Sequence, residues 1–106
     1  EEPFPYIEGN VVRDADRLEA LGAIGIIRAI EYGNNHLRPF YNEQDLERRR
    51  TGKTIVDNQT TLSHFYGKLL LLEEHFATKK GKELAHQRNE YLKGFIKEFY
   101  IEIETK

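Results

Sequence analysis

The sequence contains no cysteine, no methionine and no tryptophan, and only three prolines. Without cysteine there is neither a disulfide framework nor a thiolate metal site, which is compatible with a reducing, cytoplasmic setting. Without methionine there is no start residue, so the expectation is that residues upstream of Glu1 have been removed. The acidic first residues, with Pro3 and Pro5, lack the basic and apolar regions of a secretory signal. Apolar runs are short: Leu18 to Ile30 falls below the roughly 20 residues that cross a bilayer. Neither sign of charge dominates, with 16 basic and 18 acidic residues and a net charge of −2. This argues against general nucleic-acid binding and against an anionic membrane surface.

What is present reads as helix. The 106 residues make at most one domain. From about Glu8 to Asn34 the pattern is helical, in one piece or in two that meet near the aspartates. Gly33-Asn34-Asn35 then stops it, with Pro39 soon after. Residues 33–58 carry no period and read as a long irregular connection, with one short helical turn at Glu43–Arg49. Leu62, Phe65, Tyr66, Leu69, Leu70, Glu73 and Phe76 restore the helical spacing, as do Leu84, Tyr91, Leu92, Phe95, Ile96, Phe99 and Ile103. The prediction is an all-α fold with helices near 8–32, 60–76 and 79–103. The segment Leu21–Ile30 is apolar on nearly every side, so it belongs at the centre of a core. Only two other long helices are available to cover it, which predicts part of a larger helical bundle.

Several motifs carry little. Gly52-Lys53-Thr54 mimics the end of a phosphate-cradling loop, but position 47 is Glu47 and no strand precedes it. His36, His64, His75 and His86 include no i, i+4 pair, so no helix face presents two histidines to a metal. Arg48-Arg49-Arg50 suits a phosphate, although a basic run is more often simply solvated. Arg28 is a charge within an apolar helix and needs an anionic partner. Asp14 and Asp16 are two apart, and on a continuous helix they point in different directions, against a carboxylate dyad. From the residues alone Asp16 fits best as an N-cap, since Asp16-Arg17-Leu18-Glu19 has the form of a capping box. Asp14 fits a pairing with Arg17.

The strings "VVRDADRLEALGAIGIIRAI", "RPFY" and "TTLSHFYGKLLLLEEHFATKKGKELAHQRNEYLKGFIKEFY" together resemble the C-terminal half of bacterial HD-domain phosphohydrolases of the small stand-alone branch. Residues 42–58 match poorly. The resemblance implies an all-helical HD-domain bundle binding a divalent metal (Mn, Mg, Fe, Ni or Zn) through a histidine, an adjacent His-Asp pair and a distant aspartate. The distant aspartate corresponds to Asp16, with Asp14 in a supporting role. No His-Asp dipeptide occurs in the chain, so the resemblance places the other ligands upstream of Glu1, and residues 1–106 form the C-terminal portion of one HD domain. A metal of this kind lowers the pKa of bound water and neutralises phosphoryl charge. The implied substrate is a nucleotide or related phosphate ester, met by positive groups at Arg38, His64 and Lys68. The bland readings of those three are loop hydrogen bonding, capping and solvation. A homo-oligomer is compatible with the apolar stripes. The alternative function is a non-catalytic helical interaction module in which Asp16 only caps a helix.

Overall fold

A computed structural model describes residues 7–52, 59–69 and 71–105, without the side chains of residues 7, 8, 68 and 69. Of residues 1–7, which Pro3 and Pro5 predict to be an extended lead-in, 1–6 lie outside it, as do Lys53-Thr54 and the stripe position Leu70, and Ile7 is already helical. The elements in order are α1 (Ile7–Leu18), α2 (Gly22–Asn35), α3 (Glu43–Thr51) and α4 (Thr61–His64). The last continues into a π-helical turn at Phe65–Leu69. A 3-10 turn (Leu72–His75) and α5 (Lys79–Glu104) follow. Among the described residues there is no strand, and the fold is all-α.

The first helical stretch is two helices with a tight corner. Ala20 N–H donates to Arg17 O at 3.0 Å and Leu21 N–H to Leu18 O at 3.1 Å, closing the end of α1. Gly22 then takes φ +70°, a left-handed conformation that breaks the helix path and suits glycine. Gly25 lies against the carbonyl of Ala20, where a Cβ would collide with backbone. The two glycines therefore make the corner as well as allowing close packing: the Arg88 stem of α5 approaches within 3.2 Å of where a Gly22 Cβ would stand.

The irregular connection contains more helix than one turn. Asn42 and Asp45 form a reciprocal capping box, each side chain accepting the other's backbone N–H at 3.0 Å. Gly52 at φ +73° ends α3 in a left-handed cap. Caps and charge hold α3, since the only residue it buries is Asp45. Periodicity therefore shows no stripe there, although the helical turn expected at Glu43–Arg49 is present and runs on to Thr51. The helix expected at 60–76 is divided instead into α4, the π turn and the 3-10 turn, although Leu62, Phe65 and Phe76 of its stripe are all buried.

The central element is α5, and this corrects the expectation for α2. Gly81, Ala85, Asn89, Leu92, Ile96 and Tyr100 form its buried stripe, and α1, α2 and the 3-10 turn all pack on it. Of the expected α5 stripe, Tyr91 instead faces solvent. Pro39–Tyr41 dock across the top: Thr61 N–H donates to Pro39 O at 3.1 Å and Leu62 N–H to Phe40 O at 2.9 Å. Phe40 meets Phe99 edge-on at 4.9 Å between centroids, and Tyr41 meets the same ring at 5.2 Å. One face of α2 buries Ile26, while Ile24 and Ile27 remain 64% and 56% exposed.

Candidate metal and phosphate site

The two aspartates of α1 do different work because a helix turns them apart. Asp14 is 3% exposed and points at the start of α5. One carboxylate oxygen accepts from Ala77 N–H at 2.8 Å, and the other from Thr78 N–H at 2.7 Å and Thr78 Oγ1–H at 2.5 Å. Thr78 is itself the N-cap of α5, accepting from Gly81 N–H at 3.0 Å. A negative charge here also meets the positive end of the α5 dipole. A side chain at Gly81 would strike the carboxylate, so glycine is needed at that position. Burial pushes the Asp14 pKa up, but hydrogen bonds from Ala77 and Thr78 and the Arg17 charge outweigh it, leaving the carboxyl below its ordinary value. The Arg17 guanidinium also donates to the carbonyl of His75, so α1 grips this corner twice. Asp14 is thus a structural anchor with its oxygens already used.

Asp16 is exposed, and among the described residues no hydrogen bond or ion pair engages it. The N-cap reading is overturned, because Asp16 lies within the last turn of α1 and α2 begins at Gly22 behind Leu21, which offers no side-chain cap. A carboxylate in the last turn faces the carbonyl end of the helix, an arrangement that costs stability rather than adding it. Among the described residues nothing ties the Asp16 carboxylate to the local fold.

Among the described residues, no three His, Asp or Glu side chains gather to hold a metal. One Asp16 carboxylate is a fitting hard-oxygen donor for a divalent ion, but a single ligand does not hold an ion against water.

Arg38 and His64 are half-buried on neighbouring segments, since 38–40 and the start of α4 are joined by the backbone bonds described above. The Arg38 guanidinium carbon sits 5.5 Å from the Tyr32 ring centroid. Its backbone N–H donates to Gly33 O at 2.7 Å. Both residues follow the far end of α2, whereas Asp16 stands near the α1–α2 corner. The Lys68 side chain is outside the described residues, and its backbone lies in the π turn. Arg28, expected to need an anionic partner, is exposed and reaches Glu19, with Nη1 3.2 Å from the carbonyl and 3.6 Å from the carboxylate.

Sequence reasoning missed the buried Asp45. It accepts from Thr60 Oγ1–H at 2.8 Å and lies 3.4 Å from the Arg48 guanidinium. The spacing Asn42-x-x-Asp45 was the available signal.

With this geometry in view, fold and sequence together place the chain with the HD-superfamily hydrolases, as the counterpart of their C-terminal half. A Bacillus thuringiensis HD-superfamily hydrolase superposes with a TM-score of 0.77 at 39% identity, over 93% of this chain and 47% of that one. YpgQ of Bacillus subtilis is 33% identical over 97 residues, which are 92% of this chain and 40% of YpgQ. The structure of YpgQ in complex with ADP superposes with a TM-score of 0.74. The chain spans about half the length of these relatives. No family model matches the chain.

Proposed function

We propose that Asp16 is one ligand of a divalent-metal centre in an HD-type phosphohydrolase, completed by a histidine and a His-Asp pair from a segment upstream of Glu1. The observation that carries this reading is the contrast within α1. Asp14 is fully committed to the fold, while Asp16, two residues on, is exposed, without a partner among the described residues and misplaced for the helix dipole. The likeness to HD-superfamily hydrolases supplies the chemistry that such a carboxylate would serve. When bound, the metal would polarise a phosphoryl oxygen and lower the pKa of its water. Arg38, His64 and Lys68 would meet the charge of the substrate, a nucleotide or related phosphate ester. The ADP complex of YpgQ supports the nucleotide class. A cytoplasmic setting belongs to the same proposal. Among the described residues no helix is long and apolar enough to cross a membrane.

The experiment joins the chain to the upstream half of a relative and compares wild type with Asp16→Asn. The expected result is loss of bound metal and of phosphohydrolase activity together, with the melting temperature of the metal-free protein unchanged. Retained metal and rate in Asp16→Asn would remove Asp16 from the metal site, and a wild-type protein without metal or activity would return the chain to a non-catalytic helical module. The exposed face of α2 would then be its binding surface.

A further inference from the structure

The run Arg48-Arg49-Arg50 is not used by the candidate metal site, and its three members part company in the structure. Arg48 turns inward to Asp45, and Arg50 pairs with Glu47 at 3.1 Å one turn away. Arg49 instead lies over the Tyr100 ring, with its guanidinium carbon 4.3 Å from the centroid. From there it forms one wall of an open groove of about 310 Å³, whose other walls are Tyr66, Lys93, Ile96 and Lys97. Lys93 and Lys97 are one turn apart on α5 and line the same groove. Three cations from two helices thus converge on one concave surface with an isoleucine in its wall.

The existing partners of these cations are weak ones. Arg49 Nε stands 3.1 Å from Glu104 and Lys93 Nζ 3.4 Å from Glu90, and all four side chains are well exposed. Exposed pairs of this kind hold their partners loosely. Among the described residues no carboxylate pairs with Lys97. Tyr66 adds a neutral donor. Its hydroxyl carries one hydrogen to donate. Burial keeps Tyr66 protonated above the ordinary tyrosine value, so it stays a donor at neutral pH.

We propose that this groove binds the phosphate group of a small molecule, with Arg49, Lys93 and Lys97 meeting the phosphate oxygens and the Tyr66 hydroxyl donating to one of them. A phosphate carrying two charges engages several of these cations at once, where Glu90 and Glu104 each engage one. The site is separate from the Asp16 corner. Lys93 and Lys97 lie fifteen and nineteen residues beyond Thr78, the residue that Asp14 holds. At about 1.5 Å per residue they are therefore some 22 to 28 Å along α5. The proposal stands whether or not Asp16 binds metal.

The test is calorimetric titration of the 106-residue chain, without metal, using pyrophosphate and, separately, ADP. Each should bind once, saturably. Loss of one charged hydrogen bond and reversal of its charge should weaken binding about tenfold or more in Lys97→Glu. Lys80→Glu makes the same change in net charge, but it lies well beyond a Debye length of about 10 Å and should shift affinity less than about twofold. Tyr66→Phe should cost a smaller factor and leave the salt dependence unchanged. Equal affinities for the two probes would show that phosphate alone is recognised. Tighter ADP would show that the Tyr66 and Ile96 walls carry the nucleoside as well. Absence of saturable binding by both probes would overturn the proposal, as would equal losses in Lys97→Glu and Lys80→Glu.

Discussion

At the scale of single residues, the buried carboxylates of Asp14 and Asp45 hold helix ends together. Asp14 answers two backbone N–H groups and a hydroxyl at the start of α5. Truncation to alanine strands those buried donors and should cost about 2 to 3 kcal/mol, read as a lower urea midpoint. Asp16→Asn, by contrast, should stay within about 0.5 kcal/mol of wild type in the same measurement, as an exposed change does. A pair of equal losses would mean that both aspartates are structural. Tyr100 is 2% exposed, and its pKa is raised by burial first, then by Tyr66 and Asp45, against the opposing charge of Arg49. A raised acid stabilises the fold only while it is protonated. Its contribution is whole below the free tyrosine pKa of about 10 and is lost as pH climbs toward the folded value. Unfolding free energy should therefore fall above about pH 10, and fall less steeply in Tyr100→Phe. Identical alkaline slopes would place the loss elsewhere.

At the scale of elements, how much could be read depended on what holds each one. The long helix α5 was legible because apolar residues on a 3.6-residue period bury against neighbours. For α3 no such pattern existed, since Asn42, Asp45 and Gly52 fix its ends by hydrogen bonding and backbone conformation. The α1–α2 corner was readable only as an ambiguity near the aspartates. Its cause lies four to nine residues beyond Asp16, in the left-handed Gly22 and the close approach of Gly25 to Ala20. Propensity alone favours Gly25→Ala by about 1 kcal/mol in a helix interior. The collision with the Ala20 carbonyl reverses that sign, because backbone there cannot turn aside. A net loss of about 2 kcal/mol or more is expected by thermal or urea unfolding. A stabilised variant would show that the corner relaxes freely.

At the scale of the whole molecule, the packing is one-sided. The radius of gyration is 15.1 Å, where a closed domain of this length would have about 13 Å. Ile24, Ile27 and Ile30 line the open side of α2, and Val11, Val12 and Tyr91 are exposed as well. Apolar surface of this kind is normally covered. The chain should bind a hydrophobic dye and self-associate as concentration rises, and Ile27→Lys should reduce both. Sedimentation as a monomer at all concentrations, without dye binding, would contradict this.

The sequence by itself determined the all-α class, the apolar stripe of α5, the likeness to HD-domain hydrolases and the excess of apolar surface over available cover. These follow from local spacing and composition, which need no knowledge of what meets what. Only the tertiary structure decided which aspartate of Asp14-Ala15-Asp16 serves the fold. That choice depends on the start of α5, more than sixty residues away in sequence, where Ala77, Thr78 and Gly81 leave a socket of N–H groups shaped for one carboxylate. It likewise decided that Arg49, of three adjacent arginines, turns toward two lysines on another helix. Long-range hydrogen bonds and converging charges are properties of a folded surface, and no short window of sequence contains them.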